Sequence, residues 1–144
     1  MCLVSVICPV KNGEKYILSH YESIKKNLFF DFEIIYIDNG SDDSSKKIIM
    51  DLSCQDSRVV LCNEERPGVS FARNKGVSKA SSDVFCFLDV DDILIGEVIN
   101  KQVDLAINKK IANVCFANNR CAIGGHWPKA SPKFRFFYIT SLRK

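Results

Sequence analysis

The stretch DFEIIYIDNGSDDSSKKIIMDL, residues 31–52, sets the fold. Within it, FEIIYI (residues 32–37) is apolar at nearly every position, so there is no alternation between a buried and a wet face. A strand of that kind is covered on both sides, as in a parallel sheet. It ends in DNGSDDSS, which supplies turn chemistry and N-cap candidates for a helix over residues 44–52.

The same unit recurs outward in both directions. Upstream, LVSVIC (residues 3–8) reads as a strand and PVKNGE (residues 9–14) as a turn. A helix over residues 15–27 follows, with Tyr16, Ile17, Tyr21, Ile24 and Leu28 recurring at threes and fours. Downstream come a strand at RVVLC (residues 58–62), a loop at NEERPG and a helix at VSFARNKGVSKA, which Gly76 is expected to break late. A strand over residues 84–88, a helix over residues 96–108 and a strand at ANVCFA (residues 112–117) complete the series. Alternating β and α with apolar strands predicts a Rossmann-like α/β sandwich, a mostly parallel sheet with helices on both faces. In such a sheet the residues just after each strand gather along one edge, where ligands bind.

Composition narrows the class further. At 144 residues and 47% hydrophobic the chain suits one domain. A net charge of +3 does not suggest a nucleic-acid partner. Seven cysteines without a C-x-x-C pair read as reduced thiols of a cytoplasmic protein, with Cys86 and Cys115 in apolar runs. They do not read as a zinc site. The apolar start MCLVSVICPV lacks a basic leader and a cleavage site and is interrupted by Pro9, which argues for a strand over a signal peptide. His20 reads as a half-buried helix residue.

Three polar clusters follow strands: PVKN, DNGS and DVDD. If the backbone stays extended through DVDD, Asp89 and Asp91 point to one side and Asp92 to the other. Two such carboxylates make a hard-oxygen half-site for Mg²⁺ or Mn²⁺ that leaves positions open for phosphate oxygens. The plainer alternative is that Asp91 or Asp92 caps the helix starting near Gly96. Asp38, ending a buried strand, could accept hydrogen bonds from a ribose or base edge, or serve an ordinary turn. Arg66, Arg73 and Lys75 lie on the approach to the fourth strand, where an arginine can fork onto a diphosphate or simply be solvated. There is no G-x-G-x-x-G and no G-x-x-x-x-G-K, which argues against a dinucleotide fold and a P-loop.

Taken together, VSVICPVKNGEKYI, DFEIIYIDNGSDDSS and GVSFARNKGVSKASSDVFCFLDVDD resemble the successive signatures of family-2 glycosyltransferases with the GT-A fold, in order from residue 3 to residue 94. The resemblance implies a nucleotide-diphosphate sugar as donor, with UDP the expected nucleotide, and a saccharide or lipid-linked acceptor in polysaccharide or glycolipid synthesis. By it, Pro9, Val10 and the turn holding Asn12 flank the base, while Asp38 and Asn39 contact the nucleoside. Arg73 lies near the nucleotide, Asp89 near ribose and sugar, and Asp91 holds Mn²⁺ or Mg²⁺ with help from Asp89 and Asp92.

The sequence departs from that pattern in two places. Asn39 stands where many relatives have a second Asp. From Leu105 to Lys144 there is no Asp or Glu, so the downstream general base that inverting relatives use is missing and the catalytic residue is unassigned. The expectation is a donor-binding half over residues 1–118, followed at residues 119–144 by a basic, aromatic tail left from a truncated acceptor half. That tail could instead rest on an anionic membrane surface or a partner. A nucleotide-sugar-binding remnant or partner-dependent subunit without its base is the alternative to an active transferase. A receiver-like domain is disfavoured, because residues 9–12 hold no acidic pair.

Overall fold

The computed structural model describes residues 4–94, 96–109, 113–117 and 135–141. Four strands, β1 (Val4–Val10), β2 (Phe32–Asp38), β3 (Val59–Asn63) and β4 (Val84–Phe87), alternate with helices α1 (Ile17–Asn27), α2 (Ser45–Gln55) and α3 (Val69–Lys79). Then come α4 (Gly96–Lys109), β5 (Asn113–Ala117) and β6 (Arg135–Ser141). One six-stranded sheet has the order β3-β2-β1-β4-β6-β5. β1 pairs in parallel with β2 and β4, and β2 with β3. β6 runs antiparallel between β4 and β5.

The period of two along the central strands feeds two separate cores. Val4, Val6, Cys8 and Val10 of β1 pack with Ile34 and Tyr36 of β2 against α1, α2 and α4, through residues such as Ile17, Ile24, Ile49, Ile99 and Val103. Ile7, Ile35, Ile37 and Phe85 face the other way and meet Ala72 of α3. Both faces are therefore covered, which is why β2 carries almost no polar residue.

Four expectations change. Gly76 does not break α3; it lies buried inside the helix. A Cβ added there would overlap Ile7 Cγ2 and come within 2.9 Å of Ile37 Cδ1, so the glycine lets the helix approach the sheet. His20 is fully buried, not half-buried. The backbone does not stay extended through DVDD: β4 ends at Phe87, and Asp92 N–H closes a turn onto the Asp89 carbonyl at 2.9 Å. The tail, for which the sequence reading assigned no element, supplies β6, with Val84 opposite Ser141 and Cys86 opposite Ile139. Aromatic and β-branched residues in RFFYITS are the strand signal that a search for helical period passes over. The rest of the tail, residues 118–134 and 142–144, lies outside the described residues, as do Cys2 and Cys121. Cys8 and Cys86 are buried free thiols, as expected for hydrophobe-like cysteines. Burial pushes the Cys86 thiol up to about 12. No helix among the described residues is long and apolar enough to cross a membrane.

Candidate functional site

The chain leaves β1 toward β2 and β3, then returns to place β4 on the other side of β1. That reversal opens a crevice at the carboxyl ends of β1 and β4. A cleft of about 660 Å³ lies there. Pro9 and Val10 line it from the end of β1, and Lys11, Asn12 and Gly13 from the loop beyond. Asp89, Val90 and Asp91 line it from the turn after β4. Asn39, Tyr16 at the start of α1, and Gly68 and Val69 at the start of α3 complete the wall.

Of the residues singled out in the sequence, six therefore meet in one cleft: Pro9, Val10, Asn12, Asn39, Asp89 and Asp91. Asp38, Arg73 and Asp92 do not line it. Asp38 is buried at the end of β2, its carboxylate accepting the Ser41 N–H at 3.3 Å. Arg73, on α3, acts one step back, its guanidinium donating to Asp89 at 2.9 Å. Arg66 forks onto Glu64 and covers the Phe71 ring instead of facing the cleft. Lys75 exerts its charge on Cys62 and Glu64.

Tyr16, Gly68 and Val69 line the cleft without having been predicted, as do Lys11, Gly13 and Val90 from within the predicted polar clusters and turn. The P-G pair before a helix is a turn signal that could have pointed to Gly68, whose φ of 128° suits glycine. Nothing local told that this turn would reach β2.

The loop after β1 is tied to the loop after β2 by hydrogen bonds. Asn12 adopts a left-handed φ of 53°, which asparagine tolerates. Its N–H donates to Ser41 Oγ at 3.0 Å, and its Oδ1 accepts from Asp42 N–H at 2.8 Å. Gly13 N–H donates to Ser45 Oγ, and Glu14 N–H to Asp43 Oδ2. Glu14 Oε2 returns the favour by accepting the Ser44 N–H at 2.9 Å. The start of α2 is thus capped by Glu14 from the neighbouring loop and by Asp43, whose Oδ1 takes the Ser45 N–H; Ser44 makes no side-chain cap of its own. Val90, between the two aspartates, sits on Gly13 so closely that a Cβ there would lie 3.0 Å from Val90 Cγ1.

Asn39 has its amide fully oriented. Nδ2 donates to the carbonyls of Glu64 (2.8 Å) and Arg66 (2.7 Å), and Oδ1 accepts from Gly68 N–H (3.0 Å). One oxygen lone pair remains.

Beneath the aspartates, burial and then the charges of Asp89, Asp91 and Asp92 raise the Cys8 thiol well above its usual range, so it stays protonated. His20 Nδ1 pairs with Tyr36 Oη at 2.9 Å, and burial lowers its pKa to about 4, against a smaller opposing pull from Asp91. The imidazole is neutral at pH 7.

Among the described residues, no three His, Cys, Asp or Glu side chains converge as a ready-made metal cage. The cleft offers two carboxylates, Asp89 and Asp91, the first already sharing Arg73. Such a set of hard oxygens suits Mg²⁺ or Mn²⁺, which keep several positions for water and phosphate, and does not suit a soft metal or a fully protein-ligated one.

The profile of the family described as Glycosyl transferase family 2 matches residues 5–144. The chain is 35% identical over 139 residues to Glycosyltransferase GlyG of Streptococcus pneumoniae serotype 4 (strain ATCC BAA-334 / TIGR4), covering 96% of this chain and 44% of that protein. It is similar in structure to S. aureus TarS 1-349 in complex with UDP, with a TM-score of 0.66 and 25% identity over 79% of this chain and 34% of that one. It also resembles glucosyl-3-phosphoglycerate synthase from Mycobacterium tuberculosis in complex with Mn²⁺, UDP and glucosyl-3-phosphoglycerate, with a TM-score of 0.51 and 25% identity over 60% of this chain and 33% of that one. The chain spans less than half the length of each of these proteins.

Proposed function

This chain belongs to glycosyl transferase family 2, and we propose that its cleft binds a nucleoside-diphosphate sugar, with UDP the nucleotide, for transfer to a hydroxyl of a saccharide or lipid-linked acceptor in glycan synthesis. The observation that carries this reading is the meeting of Asp89 and Asp91 with the end of β1 in one cleft, with Arg73 tied to Asp89. The UDP held by structural neighbours supports the nucleotide.

Pro9, Val10 and Asn12 flank the base, and Asn39 bounds the nucleoside side, with Asp38 buried behind it. Asp91, with Asp89, would hold Mn²⁺ or Mg²⁺, whose chemistry there is to offset negative charge on the diphosphate leaving group; Asp92, which does not line the cleft, is left out of that pair. Arg73 is within reach of the same region and fixes the Asp89 carboxylate; its planar fork suits phosphate oxygens. Cys8 and the neutral His20–Tyr36 pair are buried outside the cleft lining and add no charge to the site. Residues 1–118 form the donor half in this reading. Past Asp104 the chain carries no carboxylate, so the group that takes the acceptor's proton is not assigned to it.

Calorimetric titration of UDP, GDP and dTDP, with and without Mn²⁺, tests the reading. Wild type should bind UDP in a metal-dependent way, and Asp91→Asn should weaken that binding at least about tenfold, the scale of a lost charged ligand contact. Folded protein that takes up no nucleotide, or binding indifferent to both metal and Asp91, would overturn it.

A further inference from the structure

One wall of the cleft is the start of α3, Gly68 and Val69, which follows directly on the loop of residues 64–68. That loop closes on itself through the Glu64–Arg66 fork, and Arg66 lies over the Phe71 ring. Its attachments to the end of β2 are the Glu64 N–H bond to the Asp38 carbonyl and the three bonds of Asn39. Asn39 is only 8% exposed. Two carbonyls face its nitrogen and one N–H faces its oxygen, so its partners fix the amide's orientation, and a flipped amide would oppose like with like. A carboxylate there could accept from Gly68, but it would set negative oxygen against the carbonyls of Glu64 and Arg66.

We propose that Asn39 is a positioning residue that latches residues 64–68 onto the end of β2, so that Gly68 and Val69 stand as a wall of the donor cleft, and that the latch requires the amide's two N–H donors. Asn39 then influences the ligand through the loop, in addition to anything offered by its remaining lone pair. The claim about the cleft rests on the nucleotide-sugar reading above; the claim about the latch does not.

Two measurements on the whole chain separate them. Amide exchange in the ligand-free protein should be at least about tenfold faster at Gly68 and Val69 in Asn39→Ala than in wild type, with a smaller change in the central strands. UDP titrated in the presence of Mn²⁺ should bind at least about tenfold more weakly to Asn39→Ala. The isosteric Asn39→Asp, which keeps the acceptor and loses both donors, should fail to restore that affinity. Unchanged exchange at Gly68 and Val69 in Asn39→Ala overturns the latch. Wild-type affinity in Asn39→Asp overturns the need for the donors and leaves Asn39 as an acceptor alone. Wild type that binds no nucleoside diphosphate removes the cleft role together with the nucleotide reading, and exchange still decides the latch. Arg66→Ala removes the side-chain fork but leaves the Arg66 carbonyl, so its exchange at Gly68 should stay nearer to wild type.

Discussion

Gly76 shows two single-residue effects in opposition. Alanine in a helix is favoured over glycine by about 1 kcal/mol. Here the added methyl would overlap Ile7 and crowd Ile37, both in the inner core between α3 and the sheet. Overpacking of that kind costs about 1–3 kcal/mol, so after the propensity gain Gly76→Ala should destabilise by up to about 2 kcal/mol, read as a lower urea midpoint at unchanged slope. A gain in stability would show that α3 can retreat from the sheet at little cost. Propensity is local and legible in a sequence; the approach of Ile7, far upstream, is not. That is why Gly76 looks like a break and turns out to be a contact. Asn39 fails to show its role for the same reason, since its partners lie in a loop beyond α2 and β3. The aspartates were legible because their chemistry is in their own side chains, whereas their turned backbone was not.

Between elements, the loops after β1 and β2 are joined by reciprocal hydrogen bonds, and Val90 rests on the first of them. The carboxylate turn is therefore keyed to the loop after β1 by the close packing of Val90 on Gly13. Gly13→Ala should push Val90 by a few tenths of an ångström and weaken metal-dependent UDP binding several-fold, with little change in unfolding. Adding Val90→Ala should recover most of that loss, and a double-mutant cycle on affinity measures the coupling. Additive losses would mean that Gly13 and Val90 do not share this role. Glu14→Ala removes the acceptor of the Ser44 N–H at the start of α2 and should cost about 1 kcal/mol in urea unfolding. Apart from β6, helix and strand identities were legible in the sequence, and most boundaries shift by only a few residues. The capping of α2 by a residue of another loop was not, because DNGSDDSS offers several caps nearer to hand.

For the molecule as a whole, stability should depend on pH in two stages. His20 has its folded pKa lowered from 6.5 to about 4 by burial, so the unfolded chain binds its proton first as pH falls. No penalty exists well above pH 6.5. It grows between pH 6.5 and 4, and is complete below 4 at about 3 kcal/mol. Asp56 and Glu64 are held below the usual carboxylate range, chiefly by hydrogen bonds from Arg58 and Arg66 respectively. Their contributions are present above about pH 4 and fade below it. Urea midpoints should therefore be level at pH 7–8, fall toward pH 4.5, and fall further in stronger acid. His20→Gln should flatten the first stage and leave the second; an unchanged slope from pH 6.5 to 4 in that variant would assign the first stage to other groups.

The parallel sheet was legible because its central strands β1 and β2 have no wet face. The position of β6 was not, since register and insertion between β4 and β5 depend on backbone pairing across the whole chain. That same sheet order bears on how the chain comes to exist. β1 is made first, yet its neighbour across the cleft, β4, is made only after two further strands and three helices, with Ile7 meeting Phe87 at the end of that wait. Half of the cleft thus stands open on a growing chain until the fourth strand emerges. A ligand that bridges both halves can act only on molecules that have already closed. Such contacts form late, so they should slow the opening of finished molecules and leave the rate of their making untouched.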